Sequence, residues 1–292
     1  MSDNATTRVT IPSLRAMKAA GTRIVALTAY DYPQAALVER AGVDLILVGD
    51  SLGMVVLGYP NTIPVTMDEM VHHAKAVTRA CRRSLVIADM PYFSFHLSEG
   101  ETIRNASRFL KEAGAAGVKI EGATPARLRL VRALVEAEIP VMGHVGLTPQ
   151  SIHRFGQYKV KGKETGEAAR IRREASALAK AGAFAVVLEC VPAELGRRIT
   201  RDLSVPTIGI GAGPDCDGQI LVFHDLLGFG TEPLPKYVRT YANLAGVIGG
   251  AVRRYAEDVR RGAYPDDAHS YHAAARPART TGRGAAGRGK VS

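Results

Sequence analysis

The sequence has few cysteines and no long apolar run, and both shortages exclude classes of protein. Its three cysteines, Cys81, Cys190 and Cys216, are odd in number, far apart and free of any CxxC pair, so neither a disulfide framework nor a zinc knuckle is predicted. No stretch of about 18 apolar residues occurs, and the N-terminus lacks the apolar segment of a secretory signal. We therefore expect a cytoplasmic protein with no membrane-spanning segment.

Acidic residues are outnumbered by basic ones, and much of the basic excess lies at the C-terminus. The chain has 292 residues and a formal net charge of +10. Residues 273–292 carry half of that excess, with no acidic residue and the five basic residues Arg276, Arg279, Arg283, Arg288 and Lys290. We predict a disordered tail there, appended to one catalytic domain over residues 1–272. Nucleic acid is not the expected partner, although such a basic arm leaves RNA binding as a remote alternative.

Short apolar runs separated by amphipathic stretches predict alternating strands and helices. The runs are rich in β-branched residues, as buried parallel strands are, and cover residues 24–29, 44–49, 84–89, 117–121, 140–144, 184–189 and 205–210. Residues 221–229 are the candidate for an eighth strand. We therefore predict an α/β protein with a single (β/α)8 TIM barrel, the alternative being an open doubly wound sheet. A helical extension is expected at residues 236–262.

A weak internal repeat supports this alternation. The segments AGVDLILVGD, AGAAGVKIEG and AGAFAVVLEC each run from an Ala-Gly pair through a strand to an acidic residue. Glycine at the end of a helix permits a left-handed cap, and each following strand delivers its last side chain to the same end of the sheet. The acidic residues are therefore expected to converge.

Ionisable side chains gather at these predicted strand ends, where barrels of this kind build their active sites. They are Asp50 with Ser51, Asp89, Lys119 with Glu121, His144 and Glu189. A lone acid after a strand is more often a helix cap, and a lone strand-end histidine is as often a core residue as a catalytic one. Four converging acids are different, because two like charges about 4 Å apart repel by about 4 kcal/mol at an effective dielectric near 20. Lys119 supplies one counter-charge, and a divalent cation that prefers oxygen ligands, Mg²⁺ or Mn²⁺, would supply two.

Seven motifs, in this order along the chain, carry a resemblance to a known family. They are TAYDY (28–32), LVGDSLGM (47–54), ADMP (88–91), VKIEG (118–122), GHVGLTPQS (143–151), LECVPAEL (188–195) and IGIGAGPDCDGQ (208–219). With them the sequence closely resembles the ketopantoate hydroxymethyltransferase family from about residue 12 to His272. The resemblance implies a barrel of the phosphoenolpyruvate mutase and isocitrate lyase type. It also implies transfer of a hydroxymethyl group from 5,10-methylenetetrahydrofolate to 3-methyl-2-oxobutanoate, giving 2-dehydropantoate in pantothenate and coenzyme A biosynthesis.

The same resemblance implies a role for each strand-end residue. One Mg²⁺ per subunit is expected on Asp50, Asp89 and Glu121, and Glu189 is expected to be the catalytic base. Substrate contacts are implied for Asp50, Ser51, Asp89, Lys119 and His144. The resemblance further implies a homo-oligomer, a decamer.

The expected reaction begins with removal of the proton on carbon 3 of the keto acid by Glu189. The resulting enolate, stabilised by the cation and by Lys119, would then attack the one-carbon unit of the folate. A magnesium-dependent lyase or mutase acting on a 2-oxo acid is the alternative within the same superfamily. The lack of a cysteine-bearing lyase-type loop, together with the motifs at residues 143–151 and 188–195, favours the transferase.

Overall fold

Eight parallel strands close into a barrel in the computed structural model, which describes residues 7–230 and 233–273. Each strand pairs with the next in sequence, and the last pairs with the first. The strands are β1 (Ile24–Thr28), β2 (Leu45–Val48), β3 (Leu85–Asp89), β4 (Gly117–Glu121), β5 (Val141–Gly146), β6 (Ala185–Glu189), β7 (Thr207–Ile210) and β8 (Gly218–Leu221). The predicted (β/α)8 barrel is confirmed, and the open sheet is excluded.

Helices connect and cover the strands. They are α1 (Ile11–Ala19), α2 (Tyr32–Arg40), α3 (Leu52–Val55), α4 (Met67–Ala80), α5 (Glu99–Lys111), α6 (Pro125–Glu136), α7 (Ile152–Phe155), α8 (Thr165–Lys180), α9 (Ala193–Asp202) and α10 (Phe223–Leu227). Thr66 caps α4 with a full capping box, and Thr124 with Pro125 begins α6, as their sequences indicate. The three Ala-Gly pairs end helices as predicted, because Gly42, Gly114 and Gly182 all have positive φ.

The core has two layers because side chains alternate across each strand. Residues such as Ile46, Val86 and Leu188 belong to a large cluster that packs with residues of the surrounding helices. Their neighbours of opposite parity, among them Leu47, Ile87, Met142 and Val187, form a second cluster inside the barrel. Continuing that inner parity by two residues leads from Ile87 to Asp89, from Met142 to His144 and from Val187 to Glu189. The barrel interior therefore ends in polar side chains.

The eighth strand is not where the sequence pattern placed it. Strand β8 covers Gly218–Leu221, and most of residues 221–229 are the short helix α10 and its flanks, with Phe223 and His224 buried. The sequence of β8, GQIL, has too few apolar residues to stand out. Its glycine is required by packing, since a Cβ on Gly218 would lie 2.5 Å from the carbonyl oxygen of Ile24.

The chain divides into two compact units, residues 1–244 and residues 245–292. The second contains nearly all of α11 (Leu244–Arg260), which begins later than the predicted stretch at residue 236. Residues 236–243, KYVRTYAN, are rich in aromatic and β-branched side chains of low helix propensity. The single domain over residues 1–272 stays a prediction, and the basic tail lies outside the described residues apart from Ala273. No helix in the described ranges is long and apolar enough to cross a membrane.

Candidate active site

The barrel brings together the residues predicted at the strand ends. In the register of neighbouring strands, Asp89 is paired with Lys119, and Glu121 is paired with His144. Glu189 is paired with Gly146, two residues beyond His144 on β5. Lys119 and Glu121 are two residues apart on β4 and so point to the same side of the sheet. The result is a row of ionisable groups across β3 to β6.

Lys119 is the buried cation of this row. Its Nζ lies 3.0 Å from Oδ1 of Asp89 and 3.1 Å from Nδ1 of His144. Burial alone would lower the pKa of Lys119, but the charges of Asp89, Glu121 and Asp50 outweigh burial and raise that pKa above its usual range. Lys119 is therefore positively charged at neutral pH.

His144 is buried and neutral. Burial, with the charge of Lys119, lowers the pKa of His144, and the opposing effect of Glu189 does not restore it. An ammonium group can only donate, so Nδ1 of His144 accepts from Lys119 and the ring proton is on Nε2. That Nε2 lies 3.2 Å from Oε2 of Glu189, at an angle short of a full hydrogen bond. His144 thus presents an N–H to Glu189.

Glu189 differs from the other acids in its exposure. Its side chain is 14% exposed, whereas those of Asp89 and Glu121 are each 5% exposed. The backbone turns sharply beside it, because Cys190 has a φ of 48°, a left-handed conformation that costs free energy in a residue other than glycine. On β5, a Cβ on Gly146 would lie 2.2 Å from the carbonyl oxygen of Glu189. This crowded segment holds Glu189 at the edge of the buried cluster.

Asp50 and Asp89 meet at the ends of β2 and β3. The backbone N–H of Asp50 donates to Oδ2 of Asp89 over 3.1 Å. Ser51 follows, and its Oγ lies 2.8 Å from the hydroxyl of the fully buried Tyr30. A Cβ on Gly49 would lie 2.8 Å from Oγ of Ser51 and 3.5 Å from Oδ2 of Asp89. Glycine at this position leaves space beside both side chains.

Gln150 connects the two sides of the cluster. Its side-chain Nε2 donates to Oδ2 of Asp50 over 2.8 Å and to the carbonyl oxygen of Met90 over 2.9 Å. Its backbone N–H donates to Oε2 of Glu121 over 3.0 Å. Asp50 and Glu121 are therefore linked through one buried residue of the loop after β5.

The charge balance of the cluster favours an added cation. Burial and the charge of Asp89 raise the pKa of Asp50 to about 7, although Lys119 and Gln150 oppose this. Burial also raises the pKa of Glu121 well above its usual range, since Lys119 alone does not offset the surrounding acids. Carboxylate oxygens are the ligands that Mg²⁺ prefers, and a divalent cation would relieve the repulsion, so the donor set fits such an ion. Within the described ranges, no three His, Cys, Asp or Glu side chains already form a metal-binding group.

Four polar residues near the cluster were not predicted from the sequence. Tyr30 lies two residues after the end of β1, a position that a search for charged groups overlooks, whereas Gln150 lies four residues after the end of β5 and its position carried no such signal. Tyr158 and Tyr237 lie in irregular segments and carried none. Burial and the charge of Glu189 raise the pKa of both tyrosines, which places them within electrostatic reach of that acid.

Comparison of the whole chain with known proteins gives a consistent result. The family model for ketopantoate hydroxymethyltransferase matches residues 8–267. The chain is 57% identical over 264 residues to a 3-methyl-2-oxobutanoate hydroxymethyltransferase of Moorella thermoacetica, covering 90% of this chain and 98% of that protein. It is 54% identical over 264 residues to the protein of the same name from Carboxydothermus hydrogenoformans, with 90% and 95% covered.

Solved structures share the barrel at much lower identity. A phosphonopyruvate hydrolase in complex with oxalate and Mg²⁺ has a TM-score of 0.57 and 17% identity, with 89% of this chain and 92% of that chain covered. A 2,3-dimethylmalate lyase of the PEP mutase/isocitrate lyase superfamily has a TM-score of 0.57 and 19% identity, with 87% and 89% covered. At such identities these likenesses show the fold alone.

Proposed function

This chain belongs to the ketopantoate hydroxymethyltransferase family and is a transferase, and we propose that Glu189 is the base that starts its reaction. The substrate proposed is 3-methyl-2-oxobutanoate, the product 2-dehydropantoate and the one-carbon donor 5,10-methylenetetrahydrofolate. Transfer of the hydroxymethyl group consumes one water molecule and releases tetrahydrofolate.

One observation carries the assignment of the base. The side chain of Glu189 is more exposed than those of Asp89 and Glu121. It also lies on the other side of the His144 ring from Lys119. Asp50, Asp89 and Glu121 form the other side, joined by the N–H groups of Asp50 and Gln150. Glu189 is therefore the carboxylate that can stay free of a cation and accept a proton.

The acids Asp50, Asp89 and Glu121 would hold one Mg²⁺ per subunit. Such a cation, when bound, supplies Lewis-acid polarisation of the keto group, which makes the proton on carbon 3 more acidic. Ser51 and Lys119 then bind and orient the keto acid from the ends of β2 and β4. Lys119 also presents a fixed positive charge where negative charge develops on the substrate oxygen.

Glu189 takes the proton from carbon 3, and the neighbouring groups keep it able to do so. His144 is neutral, and its Nε2–H faces Oε2 of Glu189 over 3.2 Å, where it can orient the carboxylate without protonating it. The electron pair left on carbon 3 forms the new carbon–carbon bond with the one-carbon unit. Positioned proton transfer is typically worth about 10²- to 10⁴-fold in rate, which is the contribution expected of Glu189.

The assembly and location of the protein stay predictions. We expect a homo-oligomer, a decamer by family resemblance, acting on small-molecule substrates in the cytoplasm. Sedimentation velocity of the full chain measures its assembly state.

Exchange of the proton on carbon 3 tests the assignment of the base without the folate. The parent protein is incubated with 3-methyl-2-oxobutanoate and Mg²⁺ in heavy water, and loss of the carbon 3 proton signal is followed by NMR. We expect Glu189→Gln to slow exchange by at least about 100-fold, because amide oxygen is a very weak base. Glu136→Gln, at an exposed glutamate at the end of α6, is the matched control and should exchange at the parental rate.

Three results would each contradict part of the proposal. Exchange at the parental rate in Glu189→Gln means that another group is the base. Exchange that is unaffected by removal of divalent cations means that Asp50, Asp89 and Glu121 do not hold a cation needed for this step. Turnover of the keto acid without tetrahydrofolate release would favour the lyase or mutase alternative.

The RNA-binding alternative is tested separately. Deletion of residues 273–292 should leave exchange unchanged, and retention of RNA by the full chain but not by the deletion would support a second role for the tail. If the full chain retains no RNA, that role is excluded.

A further inference from the structure

Gln150 holds three strand-end segments of the barrel together. Its side chain bonds to Asp50 after β2 and to Met90 after β3, and its backbone N–H bonds to Glu121 at the end of β4. Gln150 itself follows β5 and is 7% exposed. The amide itself makes two of these bonds, so its removal would leave Oδ2 of Asp50 and the carbonyl oxygen of Met90 without that donor, whereas the backbone bond to Glu121 would remain.

The partners of Gln150 fix which way its amide faces. The carbonyl oxygen of Met90 can only accept a hydrogen bond, so the NH₂ group faces Met90 and Asp50. The amide oxygen, Oε1, then faces the other way and has no hydrogen-bond partner among the described residues. The side chain therefore donates a hydrogen bond to Oδ2 of Asp50, and its own oxygen, Oε1, can still accept one.

The two carboxylate oxygens of Asp50 differ in their contacts with Gln150. Oδ2 is engaged by Gln150, and Oδ1 is the oxygen that it leaves available. At the same time the N–H of Asp50 donates to Asp89, so backbone and side chain of Asp50 are both restrained. A ligand held in one orientation loses less conformational freedom on binding a cation than a mobile one.

We propose that Gln150 is a positioning residue that orients Asp50, relative to Glu121, for a divalent cation. The inference rests on the proposed function, because it takes the cation site on Asp50, Asp89 and Glu121 as given. Gln150 acts through Asp50 and need not touch substrate. Removing its donor leaves Asp50 buried but free to rotate, so cation affinity falls while the barrel remains intact.

Binding of Mn²⁺ to the cation-free full chain, without keto acid, tests this role. Free Mn²⁺ is measured by electron paramagnetic resonance during titration of the parent, Gln150→Met and Gln150→Asn. Methionine keeps the length of the side chain without the amide, and asparagine keeps the amide on a chain one methylene shorter. We expect both to weaken Mn²⁺ binding by about tenfold to 100-fold, the usual effect of losing a group that orients a ligand.

Gln157→Met is the matched control, because Gln157 is exposed in the following loop. It should bind Mn²⁺ within about twofold of the parent. Asp50→Asn, which removes a proposed ligand, should bind far more weakly than any of them. Urea unfolding of each variant shows whether it is folded under the binding conditions. If Gln150→Met is not folded, Gln150→Asn alone tests the inference.

Kinetics separate positioning from a structural role. A positioning role predicts that raising the Mn²⁺ concentration restores kcat in the Gln150 variants, whereas a damaged fold lowers kcat at every concentration. Parental Mn²⁺ affinity in a folded Gln150→Met or Gln150→Asn would overturn the inference and leave the proposed function standing. Failure of the parent to bind Mn²⁺ would instead overturn the proposed cation site, and the inference with it.

Discussion

Nε2 of His144 lies 3.2 Å from Oε2 of Glu189, on the opposite side of the ring from Lys119. Since Lys119 fixes the tautomer, the proton on His144 faces the acid that is proposed to be the base. The histidine N–H therefore lies where it can orient Glu189, and burial, together with the positive charge of Lys119, lowers the pKa of the ring and keeps it neutral.

Replacement of His144 should lower the rate of proton removal. We expect His144→Gln to slow carbon 3 exchange by about 10- to 100-fold, because a small displacement of a reacting group can cost that much. The KM for 3-methyl-2-oxobutanoate should change less than kcat. His72→Gln, at an exposed histidine of α4, is the control. A loss confined to KM would show that His144 acts in substrate binding alone.

The hydroxyl of Tyr30 should matter through Ser51. Tyr30→Phe removes the group 2.8 Å from Oγ of Ser51 and leaves that serine without this partner. We expect a several-fold increase in the KM for the keto acid and a loss of about 1 kcal/mol in the free energy of unfolding, the usual value of one hydrogen bond. Steady-state kinetics and urea unfolding measure these effects, with the exposed Tyr32→Phe as control. An unchanged KM would argue against a substrate contact by Ser51.

A side chain at Gly49 should displace Ser51. In Gly49→Ala the new Cβ would lie 2.8 Å from Oγ of Ser51, closer than such contacts allow, so Ser51 must move. We expect weaker binding of the keto acid, measured by calorimetry in the presence of Mg²⁺. Gly100→Ala is the control, because a Cβ there meets nothing within 4 Å, and it should stabilise α5 by about 0.5 kcal/mol. Equal substrate affinity in both variants would contradict the crowding argument.

Acid should destabilise the protein partly through His96. Burial, with Arg127 donating to its Nε2, lowers the pKa of His96 to about 4, and the rings of Tyr92, Phe93 and Phe95 pack around it. The unfolded chain, with an ordinary histidine pKa, binds a proton below about pH 6.5 while the folded chain does not. The stability from neutral His96 is thus present above that pH and is lost as the pH falls toward 4.

His96→Gln should remove part of that pH dependence. Since His96 is only partly buried, we expect the parent to lose about 1 kcal/mol more than the variant in free energy of unfolding between pH 7.5 and pH 5. Urea unfolding at both pH values measures the difference, and His72→Gln should behave as the parent does. Equal losses in the parent and in His96→Gln would show that the fold does not lower the pKa of His96.

The sequence allowed prediction of the barrel and of the row of charged groups, because both depend on alternation along strands. A buried strand such as β4 is recognisable from GVKIE alone, and its parity puts Lys119 and Glu121 on one side. The eighth strand was misplaced for two reasons. The sequence of β8, GQIL, has few apolar residues, and the apolar residues in and around α10 resemble those of a buried strand. Gln150 could not be given a role, since its bonds to Asp50 and Glu121 depend on how a loop folds back over neighbouring strands. No periodicity encodes that path.

Cys190, the left-handed residue next to Glu189, has a thiol of low reactivity, as do the other two cysteines. Burial and the neighbouring acid raise the pKa of Cys190 to about 12, and burial raises the pKa of Cys81 to about 12 and that of Cys216 as well. Almost no thiolate is present at neutral pH in any of the three, and the thiolate is the form that reacts with peroxide and alkylating reagents. The three thiols should therefore react slowly with peroxide and alkylating reagents, including that of Cys190, which adjoins the proposed base.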